Sequence, residues 1–241
     1  VNSINLEDGE ERLERIVGLC RAYGAAVIAL TIDEKGMAKP VDGKMAVAQR
    51  IYDLAVVRHG MRPHDLIFDA LTFTLGSGDE EFRKAGIETI AAIRRIKKEL
   101  PGVHTILGVS NISFGLAPRP RAALNSVFLH AAVEAGLDMA IVHASKIIPL
   151  YRLESEAHEL CRRLVFDERR FEGEGNERKV LSDPLTELMA FYAGARKETV
   201  AVVRPDASVE ERLQRRIIDG DRVGLNSDLD EALRRLPALQ I

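Results

Sequence analysis

The feature that most narrows the fold of this chain is an alternation. Short, wholly apolar runs take turns with longer stretches whose apolar residues recur every three or four positions. Strands are expected over residues 1–5, 25–32, 65–71, 103–110 and 138–143. Helices are expected over 6–23, 43–58, 79–100, 121–135 and 153–169. In the first helix, Leu13, Ile16, Val17 and Cys20 share one face. Strands that are apolar on both faces suit a buried parallel sheet. Each then returns through a crossover helix, right-handed by the general rule.

Two α/β architectures meet this pattern, a doubly wound sheet and a barrel. Asn5, Asp33, Asp69, Asn111 and His143 all fall at strand C-terminal ends. That placement favours a barrel with a ligand at its top. Five βα units would be the last five of a TIM-type (β/α)8 barrel, about three units short of closure. The chain opens on Val1 and inside a strand. A strand with no preceding partner leaves a raw sheet edge, so a fragment is expected.

Residues 171–179, Phe-Glu-Gly-Glu-Gly-Asn-Glu-Arg-Lys, are charged and Gly-rich, as a tether is. The expected organisation is therefore a barrel over 1–170, a linker over 171–182 and an all-helical segment over 183–241. Within that segment, helices are expected over 184–194, 208–217 and 221–236, with a short extended piece over 197–205. Ser208-x-x-Glu211 reads as a capping box.

Composition excludes some functions. The net charge of −3 leaves no basic footprint for nucleic acid. No apolar run approaches a membrane span, and no signal peptide is expected. Cys20 and Cys161 are far apart, without the clustered partners a metal site needs. Two buried, reduced cysteines in a cytoplasmic protein are expected.

The candidate chemistry is sparse. Asp69 is a lone carboxylate between Leu66-Ile-Phe and Ala70-Leu-Thr-Phe, where burial is costly unless the charge is satisfied. It reads as a cap or an ion pair, or as a carboxylate receiving paired N–H donors from a guanidine-like or pterin-like ring. Asn111 lies in Ser-Asn-Ile-Ser-Phe-Gly, and its amide can donate and accept at once, which suits a neutral heterocycle. Asn2 and Asn5 flank Ser3 as polar strand residues or ligand-facing amides. Arg119 reads as a loop residue facing solvent, or as one that meets a carboxylate or stacks on a ring. His143 reads as structural, and Asp33 and Lys35 as loop residues with a weak ligand option. Arg94, Arg95, Lys97 and Lys98 read as a solvated helix face. Gly76-Ser-Gly78 lacks the lysine of a phosphate loop. No Ser/His/Asp set, Cys/His pair or acidic dyad is present, so a nucleophile would come from a cofactor.

Four segments carry a resemblance. They are Asn2-Ser-Ile-Asn-Leu-Glu7, Leu66-Ile-Phe-Asp69, Gly108-Val-Ser-Asn111-Ile-Ser-Phe-Gly115, and Asn125-Ser-Val-Phe-Leu-x-x-Ala-x-x-Ala-Gly-Leu-Asp-Met-Ala-Ile-Val142. In order and spacing, over roughly 1–170, they resemble the pterin-binding methyltransferase barrel, in particular the folate-binding module of the cobalamin-dependent methionine synthases. Glu211-Arg-Leu-Gln-Arg-Arg-Ile-Ile-Asp-Gly-Asp-Arg-x-Gly-Leu225 resembles the first helices of the cap that precedes the cobalamin-binding domain in that family.

The resemblance implies transfer of the N5 methyl of methyltetrahydrofolate to cob(I)alamin and on to homocysteine. It implies that Asn111 approaches N5, that Asp69 binds the pterin N–H groups, that Asn2 contacts the pterin, and that Arg119 lies near the folate. His143 departs from the asparagine the family pattern has there. Cobalamin would be held mainly by residues beyond this chain, because the chain lacks the Asp-x-His-x-x-Gly motif. The homocysteine and zinc module would also lie elsewhere, so the implied partners are folate and the remaining modules. Two other readings stay open at this stage: a pterin-binding methyltransferase serving a separate corrinoid protein, and an inactive or partner-dependent fragment.

Overall fold

A computed structural model of the chain describes residues 1–173, 179–194, 207–219 and 224–235, side chains 215 and 217–219 aside. It divides into two units, Val1–Gly194 and Ala195–Ile241.

The first unit opens with β1 (Asn2–Ile4) and α1 (Glu10–Tyr23). The helix starts four residues later than its apolar pattern predicts. Leu6 is fully buried and its N–H bonds to the Ile32 carbonyl at 3.0 Å. Gly9 then turns the chain at φ 82°, a conformation glycine adopts without steric cost. Next come β2 (Val27–Leu30) and a small antiparallel hairpin, β3 (Ile32–Asp33) with β4 (Gly36–Met37). The hairpin replaces the end of the expected second strand. After it, α2 (Val41–Tyr52) runs into a π-helical turn over Asp53–Arg58.

β5 (Leu66–Asp69) leads through a 3-10 turn, Glu80–Phe82, to α3 (Ala85–Glu99). β6 (His104–Gly108) ends in a second 3-10 turn, Val109–Ser113, and α4 (Pro118–Glu134) follows. Pro118 is tolerated at the start of α4 because the first N–H groups of a helix have no intrahelical partner. β7 (Met139–Ile141) and α5 (Ser155–Val165) complete the βα alternation.

β1, β2, β5, β6 and β7 form one parallel sheet in that spatial order. Strand order equals chain order. A doubly wound sheet would reverse direction at a switch point, so that alternative falls away. α2 contacts α3, α3 contacts α4 and α4 contacts α5, forming one helical layer. The protein is thus α/β. Among the described residues the sheet stays open, with β1 and β7 at its edges.

The register assigns the faces. Val27, Ala29, Leu66, Phe68, Thr105 and Leu107 are fully buried. Ile28, Leu30, Ile67, His104, Ile106 and Gly108 alternate with them and are only half-buried. The expectation of strands buried on both faces therefore holds on the helix side alone. On the other, inner face, Met139 and Ile141 of β7 are 37% and 56% exposed.

Beyond α5, the expected linker over 171–182 begins and ends in paired structure. β8 (Arg170–Glu172) is antiparallel to β9 (Lys179–Ser182). α6 (Pro184–Gly194) belongs to the first unit, so the division comes later than the expected residue 183. The reason is burial. Leu188 is fully enclosed, Asp183 takes a two-pronged contact from Arg83 at 3.0 and 3.1 Å, and Glu187 pairs with Arg163 at 2.7 Å. The expected extended piece over 197–205 lies outside the described residues.

In the second unit, α7 (Val209–Asp219) starts with the predicted capping box: the Glu211 N–H donates to Ser208 Oγ at 3.2 Å, and the Ser208 N–H donates to the Glu211 carboxylate at 3.3 Å. α8 (Leu225–Leu233) presents Asp228, which Arg212 and Arg216 grip together. Cys20 and Cys161 are buried and free, as expected. Among the described residues, no helix is long and apolar enough to cross a membrane.

Candidate functional site

The sheet register brings the two strongest candidates to one place. Leu30, Asp69, Ile106 and Met139 are partners across four strands, so their side chains share the inner face. Asp69 is the last residue of β5 and only 7% exposed. One layer on, Gly108 pairs with Ile141 at the end of β6.

Asn111 sits on the 3-10 turn that follows. Its Nδ2 lies over Gly108, where a Cβ would come within 3.2 Å. The absent side chain at Gly108 therefore leaves room for the Asn111 amide to fold back over the strand end. Asn2 pairs with Ile28, one layer before Asp69, and is exposed.

The Asn111 turn is braced by its neighbours. Ser113 Oγ donates to the Ser110 carbonyl at 3.1 Å, and Arg121 reaches Ser113 Oγ and the Ser110 carbonyl at 3.1 and 3.2 Å. From the loop after β5, the Leu75 N–H donates to the Ile112 carbonyl at 2.8 Å, and Thr74 Oγ1 donates to the Phe114 carbonyl at 2.7 Å. The loops carrying Asp69 and Asn111 are thus tied together.

Gly76 allows that approach, because a Cβ there would lie 2.5 Å from the Phe114 carbonyl oxygen and 2.9 Å from Leu116 Cγ. Gly76→Ala is expected to destabilise the protein by about 1–3 kcal/mol through overpacking. Urea unfolding would measure it, and an unchanged midpoint would show that the two loops part easily.

Burial dominates the Asp69 carboxyl and pushes its pKa up to about 6. The Leu71 N–H, donating to Oδ1 at 2.8 Å, and the charge of Lys44 both act in the opposite direction. Among the described residues, Oδ2 has no hydrogen-bond partner, so it is available to a ligand.

The remaining candidates divide. Arg119, expected near the folate, lies over the Tyr192 ring of α6 at 5.5 Å. Arg121 and not Arg119 reaches the Asn111 turn. The helix begins at Pro118 and not at residue 121, so both arginines are helical and point about 200° apart. His143 follows β7, exposed, with Nδ1 3.0 Å from Ser145 Oγ. It shares a cleft of about 440 Å³ with Ser110, Arg121, Asn125 and Lys146. Asp33 caps its own hairpin turn by accepting the Lys35 N–H at 2.8 Å. Lys97 is no solvated face residue: it pairs with Asp138 at 2.9 Å and donates to the Val103 carbonyl. Asn5 accepts the Glu7 N–H at 3.1 Å.

Lys44, on α2, goes unnoticed in the sequence. Its side chain is fully buried and donates to the Ala70 and Leu71 carbonyls at 2.7 and 3.1 Å. The signal was present, since Val41, Lys44, Ala48 and Ile51 form one stripe at helical spacing, and a lysine in an apolar stripe needs a partner.

A family model described as "Pterin binding enzyme" matches residues 1–143, the stretch that holds Asn2, Asp69 and Asn111. The chain belongs to the pterin-binding enzymes. It is also 46% identical, over its whole length, to "Methionine synthase" of Mycobacterium tuberculosis (strain ATCC 25618 / H37Rv), and 47% identical to that of Mycobacterium leprae (strain TN). It spans 20% of the length of each of these relatives. Within this pterin-binding fold, Asp69 and Asn111 stand on adjacent strand ends, on the face the helices leave open.

Proposed function

We propose that these residues bind methyltetrahydrofolate and support transfer of its N5 methyl to cobalamin, en route to homocysteine in methionine synthesis. One observation carries the reading. A buried carboxylate with one oxygen unbonded among the described residues, Asp69, and an amide folded over the next strand end, Asn111, share one face of a pterin-binding sheet. The relatives named methionine synthase point to this reaction among those a pterin-binding fold can serve.

In this reading, Asp69 accepts N–H donors from the pterin ring through Oδ2. Asn111 sits near N5 and changes from donor to acceptor as that nitrogen gains a proton, its Nδ2–H first meeting the N5 lone pair and its Oδ1 then accepting the new N–H, with water as the proton source. Asn2 lies one layer deeper on the same face and adds a polar contact. Arg121 holds the Asn111 turn from α4. The chain has no Asp-x-His-x-x-Gly motif, so another module would hold the cobalamin, which would supply the nucleophile for the methyl group. The homocysteine and zinc site would lie in a further module. Those modules would be the partners, and further protein against the inner face would cover Met139 and Ile141.

The test is calorimetric titration of the full-length protein with 5-methyltetrahydrofolate, followed by a methyl-transfer assay with added cob(I)alamin. Saturable binding with a Kd on the order of micromolar is expected. Absence of saturable binding would overturn the reading. Binding with transfer only to a separate corrinoid protein would favour the alternative methyltransferase.

A further inference from the structure

The turn that ends β5 is held from beneath by three side chains on three different elements. Thr31 Oγ1, just after β2, donates to the Asp69 and Ala70 carbonyls at 3.3 and 3.1 Å. Lys44 Nζ, from α2, donates to the Ala70 and Leu71 carbonyls at 2.7 and 3.1 Å. Thr89 Oγ1, from α3, donates to the Leu71 carbonyl at 2.9 Å.

Leu71 stands at φ 54°, in the left-handed region that a leucine seldom occupies. Held there, its N–H turns back onto Asp69 Oδ1 and fixes the carboxylate plane. Of the three braces, only Lys44 carries a charge. It is 1% exposed, so nothing but these carbonyls and the nearby carboxylates compensates its burial. A lysine so placed is costly to a fold that could use a methionine there. That cost points to a purpose beyond packing.

We propose that Lys44 is a positioning residue for the pterin site. It locks the Asp69–Leu71 turn so that Asp69 presents one carboxylate oxygen to the inner face, and it supplies the counter-charge that keeps that oxygen an acceptor. The proposal rests on the folate reading for the identity of the ligand. It does not rest on that reading for the coupling between Lys44 and Asp69.

The charged groups involved are few. Lys44 faces Asp69 from β5 and Glu88 from α3. Glu88 is itself held by the Val41 N–H at 2.6 Å. Asp69 faces Lys44 and the Leu71 N–H.

The proposal yields a test in which folding and positioning separate. Lys44→Met leaves neither carbonyl orphaned, because Thr31 still donates to the Ala70 carbonyl and Thr89 to that of Leu71. The variant is therefore expected to retain a cooperative melt. Its Asp69 carboxyl, followed in the ligand-free full-length protein by ¹³C NMR, should titrate about one pH unit higher than in the wild type. Its affinity for 5-methyltetrahydrofolate at pH 6.5 to 7 (roughly the neutral range) should fall about tenfold.

Should Lys44→Met fail to fold, Lys44→Gln keeps a donor while removing the charge, and the same rise in the Asp69 titration is expected. An unmoved Asp69 midpoint in the folded variant overturns the proposal. If the wild type binds no folate, the functional reading fails while the ligand-free titration still decides the role of Lys44.

Discussion

Replacing Asn111 with alanine is expected to slow methyl transfer about 100-fold while changing the affinity for methyltetrahydrofolate less than about threefold. One reason is structural and one is chemical. The Asn111 side chain is exposed on its turn and does not hold the turn in place. Ser113, Arg121 and the loop after β5 do that, so the variant should keep its backbone. The amide would also matter most when N5 leaves. A tertiary amine is a poor leaving group until it is protonated, and an amide that turns from donor to acceptor, taking the new N–H on its oxygen, stabilises the protonated nitrogen more than the neutral one. Interactions that strengthen in the transition state raise the rate without a matching gain in substrate affinity. Single-turnover transfer and equilibrium binding, measured side by side, separate the two. Equal losses in both would mean that Asn111 merely binds.

Asp69→Asn should act on the other quantity. Folate affinity is expected to fall roughly 10- to 100-fold, the loss of a charge-assisted pair of hydrogen bonds. The pH dependence is the sharper signature. The carboxyl titrates at about 6 because burial disfavours its charge, and a ligand offering N–H donors binds the ionised form. Wild-type affinity should therefore rise through pH 6 and level off above it, whereas the asparagine variant should be flat.

The sign for stability is the reverse. The folded pKa lies above the 3.8 usual for an aspartate. The stability contributed by protonated Asp69 is thus fully present below 3.8 and lost as pH rises through about 6. Calorimetric titration from pH 5 to 8 would measure the binding profile (a window set by the value of about 6). An unchanged profile in the variant would remove Asp69 from the pterin contact.

The parts of the site visible in the sequence share one property. Asp69 and Asn111 are polar residues at the ends of apolar runs, and a short apolar run bounded by turn residues marks a strand wherever it packs. Local pattern therefore located both strand ends. Arg119 and Arg121 show where such pattern fails. The proline pair at 118 and 120 reads as a turn, yet the first turn of a helix accepts proline. Starting the helix at Pro118 sent Arg119 towards Tyr192 and Arg121 to the Asn111 turn. The pairing of β8 with β9 is hidden for a similar reason, because it depends on residues on either side of the charged stretch.

The sequence by itself determined the βα alternation, the apolar strands and the carboxylate and amide that end two of them, because hydrophobic period and side-chain type are local properties. The tertiary structure alone decided which of those residues meet. Parallel register put Asp69 and Ile106 in one layer, with Gly108 one layer on beneath the Asn111 amide. Packing of α2 against the sheet carried Lys44, 26 residues before the Ala70 carbonyl it binds, under the turn that aims the carboxylate. Contacts at that sequence distance are set by how strands pair and helices stack, which no short window of residues records.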